Sequence, residues 1–191
     1  DNSRFLGERH HSQFVLFGFI RDISLFEQVS EGLIFDDVYR RRNFTLQLYL
    51  YDAVRGVMLL QRDYHGEADW TYAVHARVDM NNSVFWRSDY GQAILSTLNG
   101  AVVDITDTLA CQQSLARIND KQDDRLVINL GARHGVSPGD HFAPLKQHRL
   151  TSHQGLPLTQ LESAHPNQLR VVRTDATTAV LSSNNHSLGH A

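Results

Sequence analysis

The sequence predicts a two-module chain of the α+β class: a small α/β sandwich with one long helix, followed by a small all-β barrel. Three observations predict it. Residues 13–64 carry β-forming runs, one of them with clean period-two alternation. Residues 90–109 switch to an apolar period of three and four. Residues 115–182 return to short strands cornered by glycine and proline. Strands followed by one helix argue for a sandwich and against a doubly wound sheet. A length of 191 residues suits two small modules, each with a modest core.

The run Gln13-Phe-Val-Leu-Phe-Gly-Phe-Ile-Arg21 reads as a buried strand. Residues 31–42 are polar and read as a loop. In residues 43–53, Phe44, Leu46, Leu48 and Leu50 fall on one face and Thr45, Gln47, Tyr49 and Tyr51 on the other. Asp52-Ala-Val-Arg-Gly56 is a turn, and residues 57–64 return as the second arm of a hairpin. The helix at 90–109 carries the stripe Ile94, Leu98, Ala101, Val102, Ile105 and Leu109, with Ser88 or Asp89 as its cap. The hairpin's leucine face is the nearest surface on which to bury that stripe.

The module boundary falls near 115–117, giving modules of residues 1–116 and 117–191. The first holds 15 acidic and 10 basic residues, net −5; the second holds 6 and 8, net +2. Short strands are expected at 115–118, 125–130, 141–145, 169–174 and 178–182. Residues 147–168 read as a polar insertion and residues from Asn184 on as a tail. Pro138-Gly139 suits the centre of a type II turn, where proline presets φ and glycine accepts φ > 0.

Composition excludes several classes of function. Eighteen basic against 21 acidic residues give a net charge of −3, so bulk charge does not make the chain a nucleic-acid binder. Mean hydropathy is −0.35, and no apolar run approaches the roughly 20 residues of a membrane-spanning helix. A single cysteine, Cys111, excludes a disulfide within the chain and an all-cysteine metal site. It reads as a buried free thiol, the alternative being that its partner was lost with an N-terminal part before Asp1. Asp1 is preceded by no methionine or signal segment, so a processed or excised N-terminal part is expected.

Each motif with catalytic overtones has a structural reading that outweighs it. Gly135-Val-Ser-Pro-Gly139 matches the G-x-S-x-G nucleophile elbow, with Asp175 and His186 following in hydrolase order. The residue after that serine must donate its N–H to the oxyanion, and Pro138 has none. Gly131, Gly135 and Gly139 lack the Lys-Ser/Thr of a phosphate loop. His141, His148, His153 and His165 show no metal-binding spacing, and the His10-His11 pair reads as solvated. Arg40-Arg41-Arg42 reads as a loop tip or a rim contact, and the sequons at Asn43, Asn81 and Asn185 decide nothing. No catalytic, cofactor-binding or metal-ligating residue is assigned, and no enzymatic activity is expected.

Two segment sets resemble a known family. Gln13-Phe-Val-Leu-Phe-Gly-Phe-Ile-Arg-Asp22, Arg42-Asn-Phe-Thr-Leu-Gln-Leu-Tyr-Leu-Tyr-Asp52 and Phe85-Trp-Arg-Ser-Asp-Tyr-Gly-Gln-Ala-Ile94 resemble the middle domain of the flagellar assembly protein FlgT family. Leu130-Gly-Ala-Arg-His-Gly-Val-Ser-Pro-Gly-Asp-His-Phe142 is similar to that family's C-terminal β-barrel. The resemblance implies a TolB-N-like first module, incomplete here because its first strand and helix would precede Asp1. It also implies a periplasmic, non-enzymatic part of the flagellar basal body, building the H ring and supporting the T ring and stator. The implied partners are MotX, MotY and neighbouring FlgT-like subunits. A TolB- or lipoprotein-like envelope adaptor unrelated to flagella is the alternative.

Overall fold

The computed structural model describes residues 2–30, 37–122, 124–151, 153, 155, 157–164 and 168–183. The chain divides into two compact units, residues 1–112 and 113–191.

The first unit runs α1 (Asn2–His10), β1 (Phe14–Asp22), β2 (Leu25–Ser30), β3 (Asp37–Asp52), β4 (Val57–Asp69), α2 (Ser83–Arg87) and α3 (Asp89–Ala110). Its sheet is antiparallel and centred on β3. β4 flanks one side of β3, while β1 and β2 pair with its other side, β1 at residues 45–52 and β2 at residues 37–42. The alternation of β3 explains the layering: Phe44, Leu46 and Leu48 are buried in one cluster with Trp70, Phe85, Tyr90, Ile94 and Ala101. The hairpin turn is built on Asp52. Its carboxylate accepts from the backbone N–H groups of Val54 (2.9 Å) and Arg55 (2.8 Å) and from the Arg55 guanidinium (2.7 Å).

Besides β1, which was expected to be buried and has no buried residue, the first unit departs from the sequence expectation in four ways. Residues 37–42 are not loop but the start of β3; residues 31–36 lie outside the described residues. β4 continues to Asp69, because Arg41 and Arg42 still have partners at Asp69 and Ala68. α1, α2 and β2 were not anticipated. α1 hides its signal because it packs through Gly7, where a Cβ would run into Ala53, and not through an apolar stripe.

The fourth departure is the rotation of α3. Ser88 caps it as expected, its Oγ accepting from Gly91 N–H at 3.2 Å. The expected stripe is turned, however. Thr97, which is not part of the expected stripe, is 8% exposed, whereas Leu98 and Val102, which are, are 37% and 59% exposed. The cause is the close approach of helix and strand at Gly66. A Cβ there would fall inside contact distance of Thr97 Oγ1 and 3.1 Å from the Ala93 carbonyl oxygen. Small residues on the helix thus take the place nearest β4, and Leu98 and Val102 are left exposed while Tyr90 and Ile94 stay in the core.

The second unit contains β5 (Ile118–Gln122), β6 (Arg125–Ile128), a 3-10 turn (Ala132–His134), β7 (His141–Phe142), β8 (Leu145–Thr151), β9 (Pro157–Ser163), β10 (Leu169–Thr174) and β11 (Ala179–Ser183). Ile128, Val136, Val171, Ala179 and Leu181 form its core. The expected closed barrel is not what forms among the described residues. Five strands follow an open path, β5-β6-β11-β10-β7, and β8 and β9 pair only with each other as a separate ribbon. Closure would require β5 to meet β7. β7 is two residues long and is followed by Pro144, which has no N–H to extend a ladder. The expected insertion at 147–168 is therefore largely this β8–β9 hairpin. The expected tail from Asn184 lies outside the described residues.

Candidate functional site

The Ser137 corner is a turn. Asp140 N–H donates to the Ser137 carbonyl at 3.1 Å, Gly139 sits at φ +101°, and Ser137 N–H donates to Asp140 Oδ2 at 2.8 Å. Asp175 faces Arg173, 3.3 Å from its guanidinium, and its backbone oxygen accepts from Ala132 N–H at 2.9 Å. His186 lies outside the described residues. Gly131 stands where the Asp175 carbonyl and the Thr178 amide crowd the backbone, so its role is close chain approach.

The histidines are dispersed. His141 and His153 are exposed, His148 Nε2 lies 3.3 Å from Glu162 Oε2 across the β8–β9 ribbon, and His165 is outside the described residues. Among the described residues, no three His, Cys, Asp or Glu side chains gather as a metal would require. Cys111, expected buried, is exposed, because α3 ends on it at the surface.

The arginine run is neither loop tip nor basic patch. Arg40 pairs with Glu27 at 3.4 Å and Arg41 with Glu67 at 2.6 Å, both across neighbouring strands. Arg42 lies over the Trp70 ring, 4.4 Å from its centroid, and its Nε donates to the Ile23 carbonyl at 3.0 Å. The run locks β2 and β4 to β3. The Asn43 amide is likewise held, donating to Asp22 Oδ2 (3.1 Å) and Ser24 Oγ (3.0 Å).

A further polar tie joins α3 to β4. Tyr64 Oη donates to Asp104 Oδ2 at 2.9 Å, and the Arg62 guanidinium reaches the same oxygen at 2.6 Å. Burial, then the bond to Asp104, pushes the Tyr64 phenol up to about 12. The bonds from Tyr64 and Arg62 hold the Asp104 carboxyl below its ordinary value. These groups fasten a helix to a sheet; their pKa shifts follow from that fastening.

What the first unit leaves open is apolar. Ala93, Thr97 and Asp104 face β4, so Leu95, Leu98 and Val102 fall on a different flank of α3 and are exposed. On the same face of the sheet, Leu16 and Ile20 of β1 stand opposite Leu50 and Leu46 and are half to two-thirds exposed. Helix flank and strand thus each present exposed apolar side chains. The sequence stripe was visible; its outward turn was set by Gly66, Ala93 and Thr97, the small residues that could have signalled it.

The two units each match a family model. That for flagellar assembly protein T, middle domain, matches residues 1–80, and that for its C-terminal domain matches residues 123–190. The chain belongs to the flagellar assembly protein T family. The two matches run in family order and leave α2, α3 and β5 between them. No curated protein matches the chain. Membership in the flagellar assembly protein T family associates the chain with the flagellum and with motility, and the family is structural. No helix among the described residues is long and apolar enough to cross a membrane.

Proposed function

We propose that the chain is a non-enzymatic structural component of the bacterial flagellar basal body, acting in the periplasm. In this reading it helps build the H ring and supports assembly of the T ring and stator. Its partners are then neighbouring flagellar assembly protein T subunits and the T-ring proteins MotX and MotY. The modules at 1–116 and 117–191 act as two holding surfaces, the first built like the N-terminal domain of TolB.

The observation that carries the reading is the family match in both units. The exposed apolar side chains Leu16, Ile20, Leu98 and Val102 support it as positions that contacts within an assembly would cover. The charge balance, −5 over residues 1–116 and +2 over residues 117–191, suits head-to-tail contacts between copies. Exposed-charge contacts are weak singly, so the isolated chain is expected to be monomeric in dilute solution.

The test is capture. The tagged full-length protein, expressed in its own host, should copurify with basal bodies and retain MotX and MotY. Recovery with unrelated envelope proteins and no basal-body component would replace this reading with that of an adaptor outside the flagellum.

A further inference from the structure

The sheet face opposite α3 carries a row of aromatic rings. Phe17 contacts Tyr51 edge-to-face at 5.9 Å between centroids, and Phe19 contacts Tyr49 at 6.1 Å. With Gln47, Arg21 and the first turn of α1 at Asn2 and Ser3, they line a solvent-open cleft of about 470 Å³. The polar groups in this row differ from those on the helix side. There, the Tyr64 and Tyr90 hydroxyls are committed to Asp104 and to the Asn43 carbonyl. Here, among the described residues, the Tyr49 and Tyr51 hydroxyls, the Gln47 amide and the Arg21 guanidinium have no hydrogen-bond partner. Phe19 is 53% exposed.

We propose that this cleft is a binding site for a carboxylate-bearing glycan. Sugar rings offer an apolar face for Phe19 and Tyr49, and a rim of hydroxyl and amide groups for Gln47, Tyr51 and Asn2. Arg21 is the one cation among the lining residues, none of which is acidic, so the charge the cleft selects is negative. The first turn of α1 brings the positive end of a helix to the same place. The carboxylates whose register places them on this sheet face nearby, Asp63 opposite Gln47 and Asp22 opposite Thr45, both lie outside the lining. An open cleft without an enclosed pocket suits rings lying flat better than a peptide, which anchors through side chains in desolvated pockets. Single-stranded nucleic acid would also stack on the rings, but one cation, Arg21, does not make the basic track that a run of phosphates needs.

The experiment is calorimetric titration of the 191-residue chain with the peptide-free tetrasaccharide of alternating N-acetylglucosamine and N-acetylmuramic acid. Neutral chitotetraose serves as the uncharged comparison. The tetrasaccharide should bind and chitotetraose should bind about tenfold more weakly. Arg21→Gln should remove that difference, and Phe19→Ala should weaken both sugars about tenfold. Arg21 and Phe19 are exposed, so both variants should keep the parent's melting curve. Absence of binding at millimolar tetrasaccharide overturns the proposal. Equal binding of the two sugars, unchanged affinity in Arg21→Gln, or tighter binding of an acidic peptide or an oligothymidylate does so as well. The result does not depend on whether the chain copurifies with basal bodies, so the two proposals fail separately.

Discussion

Gly66 of β4 lies directly beneath Thr97 of α3, close enough that a β-carbon on the glycine would collide with the threonine hydroxyl. Thr97 Oγ1 in turn donates to the Ala93 carbonyl at 2.8 Å, the oxygen that forms the other side of the gap. This contact sets the depth and rotation of the long helix. Gly66→Ala should therefore destabilise the first unit by about 1–3 kcal/mol through overpacking. Thr97→Ala introduced together with it should recover part of the loss. Both tryptophans, Trp70 and Trp86, belong to this unit, so tryptophan fluorescence in urea reads it alone. Strict additivity of the two substitutions would mean that the helix does not sit on Gly66.

The rotation has a second consequence. Ile94, 5% exposed, should cost about 2–4 kcal/mol on truncation to alanine, whereas Leu98→Ala should cost about 1 kcal/mol or less. Sequence periodicity alone ranks the two equally. Equal losses in the same fluorescence assay would restore the unrotated stripe.

The elements legible in the sequence are those whose burial is one-sided. β3 could be read from Phe44 to Leu50 because every second residue is apolar and buried, Phe44, Leu46 and Leu48 in the cluster that holds the helix. Its first residues could not, since Arg40, Arg41 and Arg42 look solvated until Glu27, Glu67 and Trp70 are brought beside them from other strands. α3 was legible in extent and cap but not in rotation, which depends on a glycine more than 20 residues away. The type II turn at Pro138-Gly139 was legible because its chemistry is local. The open sheet of the second unit was not, because short strands and glycine corners do not say which edges meet. For the candidate site, the absence of an assigned catalytic residue came from Pro138. The exposure of Leu16, Ile20, Leu98 and Val102 came only from the structure.

Gly139 tests the local reading. At φ +101° a β-carbon is strained even where space allows it, and the nearest atom, on Arg170, is 3.9 Å away. Gly139→Ala should lower the second unit's stability by about 1 kcal/mol or more, measured by thermal unfolding in the far-ultraviolet. A neutral result would show that the turn relaxes at no cost.

The tie between Tyr64 and Asp104 predicts losses of stability at both ends of the pH scale. The folded state raises Tyr64 from about 10 to about 12, so its contribution is complete below pH 10. It is lost as pH rises from there through 12. Asp104 is lowered on folding, so its contribution is present above the ordinary carboxylate range and fades as pH falls through its lowered value. Tyr64→Phe should flatten the alkaline limb of the stability profile while leaving the tryptophan signal intact. An unchanged alkaline limb would exclude Tyr64 as its source.

The most direct measurement of the flagellar role is an in-frame deletion of the coding region for residues 1–191 in the native host, followed by imaging of purified basal bodies and swimming assays. Loss of the outer basal-body ring and of motility, both restored by the intact gene, is the predicted result. Complete basal bodies and normal swimming after the deletion would contradict it.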